Sequence, residues 1–393
     1  MLFRSLDDGR IAVLSMKTGR YHTVVEGGMN ARYAPSGHLV YARHGQLLAA
    51  PFDLGRLEMS GAPLAVAEGV IENPDNGAAS YAFSRDGTLI FAPGGAVTTA
   101  GTLMWVDRHG AARPLPAPPG PYSWPRISPD GQRLAVHIAA LYDDIWVYEF
   151  GRGTFTRFTF ATDTHNGWPV WTPDNKRLVF GSIGVRGRME LLWKPAQGSG
   201  QEERLSSGED QIFPTSCSPD GKVLAFTKLD PGTGPDVWML PLEGERKPRP
   251  FLHTSFSERQ AQFSPDGRWL AYTSNESGRP EIYVTPYLSA EGKSQVSSAG
   301  GDGAVWARNG HELFFREGDR MMAVDVDTRA GFKAGKPHML FEGRSAGFSF
   351  ADYDVAPDGQ RFLMIQSPQT SVRQLHVVFN WFEELQRRVP TGK

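Results

Sequence analysis

The chain has 393 residues, enough for two ordinary domains or one large all-β ring. Apolar residues make up 40% and charged residues 21%, which excludes a disordered chain, and a formal net charge of −2 excludes the basic footprint of a nucleic-acid binder. The single cysteine, Cys217, excludes an internal disulfide, and no apolar run is long enough to span a bilayer.

From the N-terminus, Met1 to Asp8 lacks the basic-then-apolar order of a signal peptide. Ile11–Ser15 and Tyr21–Val25 read as the third and fourth strands of a unit whose first strand and turn are not present ahead of them. A turn motif then begins to recur. Ser128-Pro129-Asp130-Gly131, Ser218-Pro219-Asp220-Gly221 and Ser264-Pro265-Asp266-Gly267 are its clearest copies. Degenerate copies start at Ala34, Ser84, Thr172, Ala307 and Ala356. Their second positions, residues 35, 85, 129, 173, 219, 265, 308 and 357, recur with a period of about 45. Pro presets φ, Asp bonds its own backbone, and Gly or Asn accepts a positive φ, so each copy is a hairpin turn.

An apolar strand follows each turn, as in Leu134-Ala135-Val136, Leu178-Val179-Phe180, Leu224-Ala225-Phe226 and Leu270-Ala271-Tyr272. A third strand follows, as in Ile145-Trp146-Val147-Tyr148, Val237-Trp238-Met239-Leu240 and Ile282-Tyr283-Val284, and a weaker fourth closes the unit, as in Thr156–Thr159. Four short antiparallel strands at this period are the signature of a β-propeller blade. Trp124-Pro125, Trp168-Pro169 and Phe213-Pro214 fall on the strand before the turn. Proline belongs on a sheet edge, so this strand is expected to be the innermost one. At the C-terminus Leu375–Phe379 reads as a strand. Asn380 and Glu383 form a capping box for a short helix, Glu383 can pair with Arg387, and Trp381, Phe382 and Leu385 are expected to pack that helix on the ring.

A longer period overlies the first. Residues 33–43 resemble residues 306–316, and the likeness runs on through Leu47–Asp53 and Met321–Asp327 to Glu68-Gly69 and Glu342-Gly343. The offset is six repeats, which suggests a duplicated six-bladed ring. The expected fold is therefore an all-β β-propeller of four-stranded blades. Residues 1–100 would be blades of an incomplete upstream ring, residues 101–393 a six-bladed ring, and the alternative is one ring of about eight blades.

The turns, together with Trp269–Gly278 and Glu281–Val284, resemble the TolB-type, WD-like propeller repeat over the whole chain. Ile11–Ser15, His38–Arg43, Met321–Val326 and Asn380–Leu385 are particularly similar to the propeller behind the kinase domain of bacterial membrane-linked serine/threonine kinases. No Gly-rich phosphate loop, His-Arg-Asp or Asp-Phe-Gly is present, so the resemblance implies an accessory sensing or scaffolding part rather than a kinase. It also leaves two compartments: cytoplasmic for a complete chain, extracytoplasmic for the C-terminal part of a membrane-linked kinase.

Candidate chemistry is sparse. Gly343-Arg344-Ser345-Ala346-Gly347 matches a nucleophile-elbow pattern but has propeller strands where an elbow needs a helix. The histidines form no metal-spaced pair, Asp143-Asp144 and Asp325-Val326-Asp327 make no calcium loop, and Glu245–Arg249 reads as a solvated turn. Trp146 and Trp238 recur at matching positions and are expected between blades, whereas Trp124 and Trp168 can reach the channel mouth.

The loops after the second and fourth strands share one face, and loops on a rigid scaffold are where function sits. Asp144, Asp236 and Glu281 all precede a third strand there. With Asp163, His165 and Asp302 they form the candidate ligand-binding set for a cation or basic peptide. No catalytic residue, metal or cofactor is expected. The expected function is a non-catalytic binding or sensing module for a protein, peptide or envelope ligand, without nucleic acid or a membrane span. The alternative is a propeller hydrolase or lyase, or the remnant of a propeller peptidase.

Overall fold

A computed structural model of the chain describes residues 2–4, 10–73, 78–93, 100–139, 143–160, 162–184, 188–208, 211–288, 292–343, 352–366 and 374–391. Among these the chain is built of short antiparallel strands and one α-helix, Trp381–Arg388. It divides into two compact units, Thr99–Pro368 and Met1–Thr98 with Gln369–Lys393.

The turn motif explains the local structure. Ser128 Oγ donates to Asp130 Oδ1 at 2.6 Å and accepts from the Arg133 N–H at 2.9 Å. Asp130 Oδ1 also accepts from the Gln132 N–H at 3.0 Å, and Gly131 closes the turn at φ 72°. The copies at Thr172, Ser218 and Ser264 repeat the hydroxyl-to-aspartate bond. Two side chains thus satisfy the donors a tight turn leaves over, which fixes the register of the strands on either side.

Residues 99–368 hold six sheets in ring order. Blade 1 comprises Tyr122–Ile127, Arg133–Ile138, Asp144–Glu149 and Thr154–Arg157; blade 2 Thr164–Trp171, Arg177–Gly184, Met189–Pro195 and Glu203–Gly208; blade 3 Ile212–Cys217, Val223–Asp230, Gly234–Pro241 and Arg249–Leu252. Blade 4 comprises Glu258–Phe263, Trp269–Ser274, Glu281–Pro286 and Ser294–Gln295; blade 5 Asp302–Trp306, Glu312–Glu317, Arg320–Asp327, Lys333–Ala334 and His338–Glu342. Blade 6 takes its inner strands from late in the sequence, Tyr353–Val355 and Arg361–Gln366, and its outer ones from early, Thr102–Asp107 and Ala112–Pro114. Thr102–Asp107 pairs with Arg361–Gln366 over its whole length, so the early strands lock the last sheet.

Apolar clusters fill each of the six gaps between neighbouring blades. Between blades 1 and 2, Ile145 and Phe158 meet Trp171, Leu178 and Phe180; between blades 5 and 6, Phe314 and Phe341 meet Phe362 and Tyr353. Between blades 6 and 1, Leu103, Leu363 and Ile365 meet Leu134, Val136 and Tyr148, which closes the circle. Each such buried side chain contributes about 1.5–3 kcal/mol. Trp146 and Trp238 pack against two of these clusters.

The other unit contains sheets of Leu2–Arg4 with Ile11–Leu14 and Tyr21–Val25; of Met29–Ala34, His38–Arg43, Gln46–Asp53, Glu58–Met59 and Leu64–Glu68; of Glu72–Asn73 with Ala78–Ala79; and of Tyr81–Phe83, Leu89–Phe91 and His376–Val378. Here the C-terminal segment departs from expectation. The C-terminal helix packs on residues of this unit, with Trp381 and Leu385 buried among Tyr81, Leu89 and Phe91 rather than on the ring. Gln369–Lys393 accordingly groups with the N-terminal residues, where a division at residue 101 had placed it in the ring. The cause is pairing: Val378 and His376 lie opposite Leu89 and Phe91. Asn380 does begin the helix but sits at φ 56° without a side-chain cap bond; the Trp381 N–H instead donates to the Gly87 carbonyl at 2.8 Å. The ion pair on the helix joins Glu384 to Arg388 at 3.1 Å.

Candidate functional site

The first strands of the six blades line the axis of the 99–368 ring, and bonds join neighbouring first strands at five junctions around it. The Trp171 Nε1–H donates to the Arg126 carbonyl at 2.9 Å, Gln262 Nε2 to the Thr215 carbonyl at 2.9 Å, the Trp306 Nε1–H to the Gln262 carbonyl at 3.1 Å, and the Tyr353 hydroxyl to the Gly303 carbonyl at 2.8 Å. The Ile127 N–H donates to Asp354 Oδ2 at 2.6 Å and completes the link from blade 6 to blade 1. A cavity of about 350 Å³ lies inside these strands, at the end rimmed by Pro129, Pro173, Pro219 and Pro265 of the turns. That size suits a side chain or chain end rather than a large cofactor.

The cavity carries two guanidinium groups, Arg126 and Arg308, against one carboxylate, Asp354. Arg126 donates to the Pro125 carbonyl at 2.8 Å and the Tyr353 carbonyl at 3.3 Å. Arg308 stands where most turns have proline, and its Nη2 reaches the Ser128 carbonyl at 2.8 Å. Desolvation by the wall raises the Asp354 carboxyl above its ordinary value, opposed by the Arg126 charge and by the Ile127 and Val355 N–H groups. Desolvation likewise lowers Arg308, opposed by Asp354 and Asp130. Both shifts express charge held in a poorly solvated space, where electrostatic contacts are stronger than in water. Burial, with the Asp174 charge adding to it, pushes the Cys217 thiol on the same wall up to about 12, so it stays protonated and inert.

The residues singled out from the sequence lie toward the opposite face. Asp144, Asp236 and Glu281 do occupy matching positions at the starts of third strands, but each is buried. Asp144 accepts from Thr159 Oγ1 at 2.6 Å and Arg157 Nε at 2.8 Å; Asp236 accepts from Thr233 Oγ1 at 2.7 Å and lies 2.8 Å from His253 Nδ1. Glu281 accepts from the Ser297 hydroxyl, the Gly300 N–H at 3.0 Å and Arg279 Nε at 2.8 Å. These bonds tie the third strand to the chain leaving the fourth. Asp302 pairs with Arg259 at 2.8 Å and Thr273 at 3.1 Å, His165 with Asp143 at 3.1 Å, and Asp163 is exposed. Ser345 lies outside the described residues.

Reading the turns as pure scaffold passes over the residue two before each one. That position holds Arg126, Val170, Ser216, Gln262, Val305 and Asp354, and every one faces the cavity. The signal is an inward-facing position on an inner strand that stays polar in several repeats, together with the proline-to-arginine change at Arg308. Among the described residues, no group of three or more His, Cys, Asp or Glu side chains is placed to hold a metal ion, and no helix is long and apolar enough to cross a membrane.

No family model matches the chain. Among curated proteins it is 33% identical over 100 residues to the versican core protein of Rattus norvegicus, which is 25% of this chain and 4% of that protein. It is 38% identical over 68 residues to Tricorn protease homolog 1 of Streptomyces coelicolor, 17% of this chain and 6% of that one. It is 24% identical over 148 residues to an uncharacterised protein of Agrobacterium fabrum, 38% of this chain and 49% of that protein. The matches thus span at most about half the length of these relatives. Among solved structures, TolB from Acinetobacter baumannii superposes with a TM-score of 0.48 at 16% identity, covering 89% of this chain and 81% of that one. An oligogalacturonate lyase in complex with manganese gives 0.48 at 12% identity, covering 95% and 97%. A putative TolB from Agrobacterium tumefaciens gives a TM-score of 0.57 at 15% identity over 69% of this chain and 99% of that chain. Taken with the six sheets packed in a circle, this last likeness shows that the fold is a TolB-like β-propeller.

Proposed function

We propose that the chain is a binding module whose 99–368 ring takes a protein or peptide ligand by drawing its C-terminal carboxylate into the axial cavity. The observation that carries this reading is the charge count in the cavity, two guanidiniums to one carboxylate on strands cross-bonded around the axis. A rigid wall that carries two guanidiniums favours an entering anion, and guanidinium recognises carboxylate by paired N–H donors. The sequence likeness to kinase-associated propellers extends the reading: such a module would serve as the sensing part beside a signalling domain.

Pairs of fluorescent decapeptides with free and amidated C-termini test it, with the intrinsic fluorescence of Trp171 and Trp306 as a second readout. The free acids are expected to bind at least about tenfold tighter, about 1.4 kcal/mol, and Arg308→Ser to erase that preference. Equal binding of both forms, or a preference that survives Arg308→Ser, overturns the assignment of the cavity.

A further inference from the structure

On the face of the ring away from that cavity, blade 1 brings together a hydroxyl, an imidazole and a carboxylate in a row. Ser123 and His137 are direct cross-strand partners, and Ser123 Oγ lies 2.5 Å from His137 Nδ1. The other ring nitrogen, His137 Nε2, lies 3.5 Å from Asp143 Oδ2. Asp143 is held from two further sides: its carboxylate meets His165 Nδ1 at 3.1 Å, and its carbonyl accepts from the Asn166 N–H at 2.9 Å.

With Nε2 turned toward the Asp143 carboxylate, the tautomer that carries its proton on Nε2 leaves the Nδ1 lone pair to the Ser123 hydroxyl. The ring cannot turn away. The Trp124 indole packs on it at 4.8 Å between centroids, and Gly167 leaves the room: a Cβ there would lie 3.2 Å from Trp124 and 3.5 Å from His137. His137 is buried, Asp143 is largely covered, and Ser123 is half-buried, so the base is more shielded than the residue that carries the hydroxyl. Trp124 at φ 48° and Trp168 at φ 55° occupy the bulge that recurs in these first strands, as Gln260 does at φ 58° in blade 4. Their rings pack at 4.5 Å and continue to Phe213 at 4.7 Å, an aromatic wall beside the hydroxyl.

We propose that Ser123 is an activated nucleophile with His137 as its general base and Asp143 as the positioning residue, acting on esters that carry an aromatic or apolar acyl group. Ser123 Oγ attacks the ester carbonyl, forming a C–O bond as its proton passes to His137 Nδ1 and the carbonyl electron pair moves to oxygen. The electron pair returns, the bond to the leaving alcohol breaks, and His137 gives that alcohol its proton. Water then attacks the acyl-serine as its proton passes to His137, the acyl C–Oγ bond breaks, and His137 returns the proton to Ser123 Oγ as the carboxylic acid leaves. Esters with good leaving groups fit best, because they ask least of oxyanion donors. The assignment is independent of ligand binding in the cavity.

The whole chain, treated with a fluorophosphonate probe, is expected to form one Ser123–phosphorus bond with loss of fluoride, located by peptide mapping. It is also expected to hydrolyse p-nitrophenyl benzoate. Ser123→Ala should abolish labelling, and His137→Gln should slow labelling and hydrolysis about 100-fold or more. Asp143→Asn should slow both about tenfold, with Asp143→Glu restoring part of the rate. As a check that survives any folding defect at His137, Ser123→Cys should react with iodoacetamide faster than an ordinary thiol, since Cys217 is too weak an acid to compete. A folded chain that takes no label at Ser123, or labels equally fast as His137→Gln, overturns the proposal.

Discussion

Two sheets of this protein start from the same repeat and are finished differently. In the ring, Glu312–Glu317 and Arg320–Asp327 belong to a sheet whose third strand carries two short partners, Lys333–Ala334 and His338–Glu342; in the other unit, Gln46–Asp53 carries Glu58–Met59 and Leu64–Glu68 in the same way. Each of these sheets is followed by one with only two strands of its own. Tyr353–Val355 and Arg361–Gln366 receive Thr102–Asp107 and then Ala112–Pro114. Tyr81–Phe83 and Leu89–Phe91 receive His376–Val378, and the chain then continues into a helix rather than a further strand. The same incomplete sheet is thus completed from an earlier segment in one case and from a later one in the other. An unpaired edge is the liability that both solutions remove, and the two differ in what covers the added strand. In the helical solution Val377 keeps 47% and Phe379 74% of its surface exposed.

The comparison breaks most readily at the helix. Trp381 is buried among Tyr81, Leu89 and Phe91, so Trp381→Ala should cost about 3–5 kcal/mol by urea denaturation, with amide protection lost first at Leu89–Phe91. A cost below about 1 kcal/mol would mean that the helix does not anchor that sheet. The matching test in the ring is Leu103→Ala on the inserted strand, where the buried leucine fills the gap between blades 6 and 1; a loss of about 2–4 kcal/mol is expected from the same measurement.

A smaller effect sharpens the ring closure itself. Gly131 has φ 72°, and a Cβ there would lie 2.8 Å from Pro357 Cγ of the preceding blade, whereas Gly310 at φ 74° has nothing within 4 Å. Both alanine variants incur about 1–2 kcal/mol for the left-handed backbone, and Gly131→Ala should exceed Gly310→Ala by about 1 kcal/mol in thermal denaturation. The smallest expected effect is at the turns. The Ser218 hydroxyl and the Lys222 N–H hold the Asp220 carboxyl below its ordinary value. A lowered folded-state value contributes stability above the unfolded carboxylate range and loses it as pH falls through the folded value. Asp220→Asn should therefore cost under about 1 kcal/mol near pH 7, discounted for solvent screening, and the cost should vanish as pH falls through the lowered folded-state value. A pH-independent difference would show that the turn uses Asp220 for its shape alone.

Legibility in the sequence follows the range of the interactions. The turns were legible because their bonds close within five residues, as between Ser128, Asp130 and Arg133. The inner strands were legible from proline placement, and the paired long sheets from the likeness of residues 33–43 to residues 306–316. The cavity was not. Arg126, Gln262, Arg308 and Asp354 are far apart in the chain and acquire a common meaning only when six first strands face one axis. The carboxylates before the third strands were correctly seen as equivalent, but equivalence carried no information about direction. Asp144, Asp236 and Glu281 turn into their own blades because each finds hydroxyl or guanidinium donors there that offset the cost of burial.

By itself, then, the sequence determined the β-propeller repeat, the turn chemistry and the six-repeat superperiod, all set by local bonds and by alternation along single strands. The tertiary structure decided which early strand locks the last blade, which unit the C-terminal helix serves, and which polar residues meet on the axis. Those outcomes depend on pairing and packing between segments hundreds of residues apart, where many partners are compatible with the same alternating pattern and only the closed arrangement buries them all.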